Sequence, residues 1–240
     1  MKLVCLGTGT SIPSLKRSSS AYIISTKAHR ILIDIGPSVV RRMLECGYTV
    51  NDIDTIILTH FHVDHTADLA TFLFACNYGI EPRLKQLLLI GGPGIRTFFK
   101  RLATLYPWIK PNNYSVRIKR MSQDLLHLDD LTICTECMRH NRESIGIRIE
   151  EKKSITFSGD TDYTKRLESL AQDTDLFVVE CSFPERKVKG HLNLTLLEKL
   201  VEKAHPKKVL ISHLYPEWQT FRGVLQAPYL LAEDGMEIDL

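Results

Sequence analysis

No stretch of this chain is apolar for the roughly 20 residues that a membrane-crossing helix needs. The opening segment, Met1-Lys2-Leu3-Val4-Cys5-Leu6-Gly7, is broken by glycine too early for a secretion signal and reads as a first strand. There is no internal repeat, low-complexity tract or long linker. The six cysteines (Cys5, Cys46, Cys76, Cys134, Cys137, Cys181) sit mostly inside apolar runs. Without a secretion signal, reduced core thiols in a cytoplasmic protein are the expectation. Cys134 and Cys137 form a single CxxC that no second CxxC answers, and on a strand those positions face opposite sides. A separate structural metal site is not expected there.

Negative charge is also missing from one long region. No acidic residue stands between Glu81 and Asp124, while Arg83, Lys85, Arg96, Lys100, Arg101, Lys110, Arg117, Lys119 and Arg120 do. Against a net charge of +3, those nine bases leave −6 for the rest of the chain. Phe98, Phe99, Tyr106, Trp108 and Tyr114 are interleaved with them. Two readings stand side by side: a surface for a polyanion whose bases stack, or a solvated helix face with its aromatics turned into the core.

What is present is ordinary globular material: 240 residues, 44% hydrophobic and 25% charged. That is enough for one domain spanning residues 1–240 with a substantial core. Strands are expected at residues 2–6, 21–25, 30–34, 53–59, 87–90, 115–119, 131–137, 145–149, 154–157, 176–179 and 208–211. Helices are expected at 38–46, 67–76, 93–105 (with Pro93 in its first turn), 163–171 and 194–204. Residues 234–238 read as a turn into a last strand. Strands in succession, then mixed with helices, twice over, fit two sheets packed face to face with helices on their outer faces.

The most informative stretch is Thr59-His60-Phe61-His62-Val63-Asp64-His65, directly after a buried-strand pattern. Histidines at i and i+2 on a strand end project to one side and can meet one cation. Asp64 and His65 then offer an oxygen and a nitrogen to a second. His140, Asp160 and His213 each follow an apolar strand. Ligands placed just beyond buried strands sit on a rigid scaffold and face an open rim. Together these positions supply five histidines and two aspartates, enough for two cations with a bridging carboxylate. Nitrogen and oxygen donors without thiolate suit zinc, manganese or iron, and zinc is the default for a histidine-rich hydrolytic site.

This pattern resembles the metallo-β-lactamase superfamily. Within it, the chain is similar to the ribonuclease Z branch, which cuts precursor transfer RNA at its 3′ side. The supporting pieces are Leu6-Gly7-Thr8-Gly9-Thr10 with Pro13, Leu32-Ile33-Asp34-Ile35-Gly36, Gly92-Pro93-Gly94, Phe157-Ser158-Gly159-Asp160-Thr161, Val179-Glu180 and Gly190-His191. The resemblance implies an αββα four-layer sandwich of the α+β class: two mixed sheets flanked by helices, with the site at one edge. It assigns His60, His62 and His140 to one metal and Asp64, His65 and His213 to the other, with Asp160 between them. It makes His191 the group that protonates the leaving group, and motif position suggests Glu180 as the residue that holds the His191 ring. Asp34 is expected to orient a metal-binding histidine. A homodimer is implied by resemblance only. The branch's transfer-RNA-gripping arm would lie between His140 and Asp160, where only residues 141–159 stand here, so the arm is expected to be absent. His191 lies in Gly-His-Leu-Asn, where that branch usually has His-Ser-Thr.

The expected activity is therefore that of a hydrolase using two divalent cations. A water held between adjacent cations ionises near neutral pH and attacks phosphorus, while Asp64 orients it. A phosphodiesterase, including a ribonuclease Z-like endonuclease, is the leading reading, with RNA or a small cyclic phosphate as substrate. A thioester, carboxyl-ester or lactam hydrolase on the same fold is the alternative. His62 argues against a diiron oxidoreductase, whose relatives place glutamate there. The intact ligand set argues against a purely nucleic-acid-binding module.

Overall fold

Fourteen strands divide equally between two mixed sheets in the computed structural model, which describes residues 1–240. The first sheet runs β14-β1-β2-β3-β4-β5-β6. It comprises β1 (Lys2–Gly7), β2 (Ala21–Ser25), β3 (Arg30–Ile33), β4 (Thr55–Leu58), β5 (Leu87–Gly91), β6 (Val116–Arg120) and β14 (Glu237–Asp239). The second runs β13-β12-β11-β10-β9-β8-β7. It comprises β7 (Leu125–Leu128), β8 (Leu131–Cys137), β9 (Ile145–Glu150), β10 (Ser154–Phe157), β11 (Leu176–Glu180), β12 (Val209–Ser212) and β13 (Tyr229–Leu231).

The helices are α1 (Val39–Glu45), α2 (Val63–Thr66), α3 (Leu69–Tyr78), α4 (Ile95–Leu105), α5 (Lys165–Leu170) and α6 (Leu194–Ala204). Central strands such as Thr55–Leu58 and Leu176–Glu180 are buried at every position because both of their faces are covered. One apolar cluster, including Leu3, Ile33, Ile57, Ile90, Ile147, Phe157 and Val178, fills the space between the sheets. A second packs Met43, Phe72, Leu73, Ile95 and Ala103 of α1, α3 and α4 onto the first sheet. A third packs Leu167, Leu170, Leu197 and Leu200 of α5 and α6 onto the second. Layers of helix, sheet, sheet and helix result. No helix is long and apolar enough to cross a membrane.

Several expectations are corrected. The helix anticipated from Pro93 starts at Ile95, behind Gly94 in a left-handed conformation (φ 101°), so Pro93 precedes the helix instead of opening it. The helix anticipated from Ala67 starts at Leu69, and the tail of the histidine run forms its own short turn, Val63–Thr66. The helix anticipated over 163–171 covers Lys165–Leu170, because the Thr164 side chain caps it by accepting from the Arg166 N–H. Strands β7 and β13 have no counterpart in the sequence reading. Both are three or four residues long at the edge of the second sheet, where half-exposed residues give little hydrophobic pattern.

Candidate metal centre

The run after β4 and the loops after β8, β10, β11 and β12 all leave the sandwich at the same edge. Parallel register aligns Phe157 with Val178 and Glu180 with Ser212. The Ile145 N–H donates to the Thr59 carbonyl (2.9 Å), tying β9 of one sheet to the end of β4 in the other. His60, Asp64, His65, Asp160, Glu180 and His213 are buried here, and His62 is exposed.

Three overlapping groups of candidate ligands form: the two expected ones and a third of Asp160, His191 and His213. Donor atoms of His60, His62, His140 and Asp160 lie within 4.8 Å of one another, as do those of Asp64, His65 and His213. Asp160 stands between them. Its Oδ2 is 3.7 Å from His60 Nε2 and 3.4 Å from His213 Nε2, and its Oδ1 is 3.6 Å from His65 Nε2. All seven ligand positions expected from the sequence thus converge.

The outer hydrogen bonds share one polarity. His65 Nδ1 donates to Asp34 Oδ2 (2.7 Å), His140 Nδ1 to the Gly190 carbonyl (3.0 Å) and His213 Nδ1 to Ser182 Oγ (2.9 Å). Thr59 Oγ1 donates to Asp34 Oδ2 (2.8 Å), which leaves it to accept from His60 Nδ1 (3.1 Å). Each ring therefore carries its proton on the outer nitrogen and turns a bare Nε2 inward. His62 is reversed. Its Nε2 faces the Asn141 side-chain amide (2.9 Å) and its Nδ1 faces His140 Nε2 (3.3 Å). The Asn141 atom placed there is Nδ2, which donates to His62 Nε2; turning the amide to present its oxygen lets Nε2 donate outward and makes Nδ1 the inward lone pair.

The Nε2 atoms of His60 and His65 are buried with no hydrogen-bond partner. Orphaned inward nitrogens facing carboxylates fit a bound cation. Burial holds the His60 and His140 imidazoles below their ordinary pKa. Burial opposes ionisation of Asp160, yet His213 and His65 hold its carboxyl well below the usual carboxylate range. Asp64 is treated likewise: burial would raise it, and the His213 hydrogen bond and the His65 charge bring it down. Burial opposes protonation of His65, but Asp160 and Asp34 outweigh it and raise that imidazole well above its ordinary value. Ionised carboxylates with the bare imidazoles of His60 and His140 are ready for a cation, and His65 gives up its inner proton when one binds.

Beside the cage, His191 Nδ1 meets Glu180 Oε1 at 2.9 Å and Ser182 Oγ at 3.0 Å. Burial opposes protonation of His191, but the Glu180 carboxylate outweighs it and lifts the imidazole to about 9. Glu180 is itself fixed by the N–H groups of Thr161 (2.9 Å) and Ser182 (3.0 Å). The Ser182 hydroxyl donates to Glu180 Oε2 (2.8 Å). It therefore links the ring of His191 to that of His213.

Ser182, Asn141 and the Gly190 carbonyl have no place in the sequence reading. Their spacing from the rings they hold (182 to 213, 141 to 62, 190 to 140) has no local signal. Asp34 does stand against a cage histidine, and both it (φ 58°) and His213 (φ 55°) adopt the left-handed backbone that costs non-glycine residues energy. Gly36 is required on its neighbour's account: a Cβ there would fall 1.8 Å from the Asp64 carbonyl oxygen. Of the remaining histidines, His29 faces Asp129 at 3.1 Å and His127 is exposed on β7, both away from the cage. The interval 141–159 holds β9, a turn and β10, with no protruding arm.

Comparison with known proteins follows the same lines. The sequence model of the family described as "anti-Pycsar protein Apyc1" matches residues 1–234. Ribonuclease Z of Methanopyrus kandleri is 29% identical over 163 residues, covering 68% of this chain and 54% of that protein. In matches of this kind the chain spans about half the length of the curated ribonucleases. The probable metallo-hydrolase YhfI of Bacillus subtilis is 22% identical over 221 residues, 89% of this chain and 87% of YhfI. The crystal structure of YhfI, described as a metallo-β-lactamase fold protein, superposes with a TM-score of 0.81 at 20% identity, covering 99% of this chain and 98% of that one. The short form of human tRNase Z gives 0.80 at 21% identity, covering 100% and 99%.

Proposed function

This chain belongs to the anti-Pycsar protein Apyc1 family and has the metallo-β-lactamase fold, and from that premise we propose that it is a phosphodiesterase dependent on two divalent cations. The observation that carries the reading is the convergence of inward-facing imidazole nitrogens and ionised carboxylates in two adjacent clusters. His60, His62 and His140 would hold one cation, Asp64, His65 and His213 the other, with Asp160 shared. When bound, such cations supply a water ionised near neutral pH and neutralise charge growing on the attacked group. Zinc is the first candidate for this donor set, with manganese and iron also compatible.

The chain's own groups do the rest. Asp64, at the inner end of α2, orients the attacking water. Glu180 holds His191 Nδ1, which leaves Nε2 without a protein partner and free to give a proton to the departing oxygen. The raised pKa keeps that proton in place at neutral pH. A proton donor matters most for a poor leaving group such as a sugar hydroxyl, which favours a phosphodiester over a thioester or lactam. With no gripping arm between His140 and Asp160, a small phosphodiester (a cyclic nucleotide or cyclic sugar phosphate) suits the site better than precursor transfer RNA.

The test is a panel of bis(p-nitrophenyl) phosphate, cyclic nucleotides, precursor transfer RNA and activated thioesters, assayed with and without zinc or manganese. Turnover of the phosphodiesters that depends on metal and vanishes in Asp64→Ala is expected. Thioester turnover without phosphodiester turnover would replace this reading with the carboxyl-transfer alternative. We also propose that the chain pairs with a second copy through Phe74, Tyr78, Leu105 and Trp108. These residues are 49–67% exposed on the second half of α3, at the end of α4 and in the Pro107–Ile109 turn after it, where Asn77 Nδ2 donates to the Trp108 carbonyl at 2.8 Å. A light-scattering mass of one chain at micromolar concentration would exclude that pairing.

A further inference from the structure

Two of the nine bases between Glu81 and Asp124 are consumed by the fold. Arg83 is fully buried, and its guanidinium donates to the carbonyls of Val50, Ile53, Lys85 and Gln86 at 2.7–3.0 Å. Lys85 pairs with Asp54 at 2.8 Å. None of the other seven takes part in an ion pair. Four of them, Arg96, Arg117, Lys119 and Arg120, line one open depression together with Ile118 and Asp124. The one carboxylate there, Asp124, already accepts from the Ser122 N–H at 2.7 Å. Four cations sharing a recess repel one another, and the single Asp124 carboxylate offsets only one of them. An external anion would offset the rest.

The position of the recess matters as much as its charge. β6 is one of the two edge strands of the first sheet, opposite β14. Its register with β5 pairs Arg120 with Gly91, and Gly91 pairs in turn with Leu58, the residue that leads into the histidine run. The end of β6 is thus two strand spacings, about 10 Å, from the strand end that launches the cage. Phe61 of the histidine run and Phe98 of α4, the helix that carries Arg96, stack at 4.7 Å and 13°, both only partly buried. None of the four bases bonds to a cage ligand.

We infer that the Arg96–Arg117–Lys119–Arg120 recess binds the phosphate backbone of single-stranded RNA. Three of the four groups are guanidinium forks, which match phosphate oxygens in pairs. Arg117, Lys119 and Arg120 follow the β6 edge, with Arg96 beside them on the first turn of α4, and so track one backbone; a duplex would need a second row across a groove. The Phe61–Phe98 stack gives a base a flat apolar face at the end nearest the cage. The inference is independent of the proposed catalysis, because none of these residues belongs to the cage.

The experiment measures binding of a fluorescein-labelled single-stranded RNA of about 12 nucleotides, within the usual range for such surfaces. It uses the full chain carrying Asp64→Ala, and the native chain in chelator, so that loss of catalysis leaves it untouched. Four phosphate contacts at about 0.7 each predict a log–log salt slope near −2.8. That corresponds to roughly a 50-fold loss of affinity between about 50 and 200 mM salt. Arg117→Ser with Arg120→Ser should cut the slope to about −1.4, and the independent pair Arg96→Ser with Lys119→Ser should do the same. Lys187→Ser with Lys189→Ser, which removes equal charge from exposed residues elsewhere on the rim, should leave the slope unchanged. No binding in low salt would overturn the inference and leave these bases as guards of a free strand edge. Equal loss in all three pairs, or equal affinity for a duplex, would also overturn it.

Discussion

At the level of single residues, the site is governed by where each imidazole carries its proton. Asp34, Thr59, Gly190 and Ser182 each accept or relay an outer N–H, so the inner nitrogens stay bare. Removing such a support frees the ring and restores the wrong tautomer. Ser182→Ala should weaken metal binding by about 10–100-fold, read by competition with a chromophoric chelator, while the native fold is kept. Asn141→Ala should weaken the cluster containing His62 by a similar factor. No change in either affinity would show that these bonds do not orient the ligands. His191 is expected to act on the departing oxygen. His191→Ala should lower kcat by roughly 10²–10⁴-fold for a diester with an alcohol leaving group. With p-nitrophenolate as leaving group the loss should be small. An equal loss for both substrates would assign the ring to positioning rather than proton donation.

At the level of elements, the edge that carries the site depends on strands β10, β11 and β12 ending in register. Asp175 helps set that register from the opposite end. Its carboxylate accepts from the Ser154 N–H (3.0 Å), from Lys153 (3.1 Å) and from Lys207 (2.8 Å). Partial burial alone would raise its pKa, but Lys207, the Ser154 N–H and Lys153 hold the group below the usual carboxylate range. A depressed folded-state pKa stabilises the fold above the unfolded value of about 3.9. That contribution is lost as pH falls from about 4 through the lower folded value. In urea titrations, Asp175→Asn should be less stable than the native chain at neutral pH, and the difference should shrink steadily below about pH 4. A difference that persists unchanged at low pH would mean the cost comes from packing and not from charge.

At the level of the whole molecule, folding brings seven polar ligands from four segments to one rim, where five of them are buried and face one another. Such an arrangement costs stability unless metal binds the native state selectively. Metal at about a hundred times its dissociation constant should add roughly 2.7 kcal/mol, visible as a higher Tm by calorimetry. A chelator should reverse the shift, and Asp160→Ala, which removes the shared ligand, should greatly reduce it. A Tm indifferent to zinc, manganese and iron would refute the cage as a metal site.

Much of this was legible along the chain. Thr59 to His65, with His140, Asp160 and His213 each placed after an apolar strand, marked the groups that folding gathers at one rim, because buried strands and polar strand ends leave a local periodic signal; the four-layer fold followed from the resemblance those residues carry. The N-termini of α3 and α4 were misplaced because Gly94 and the Val63–Thr66 turn interrupt patterns that propensity alone would continue. The sequence also showed nine clustered bases but not their fates. Only packing could decide that Arg83 would fill itself with carbonyls, that Lys85 would find Asp54, and that four others would share a recess beside the cage. Likewise, Ser182 and Asn141 gained their places beside His213 and His62 across 31 and 79 residues. Composition and short-range spacing determine which groups can serve as ligands and which segments can be strands. Which nitrogen of each ring faces inward is a contact between distant segments, and it exists only once the two sheets have closed on each other.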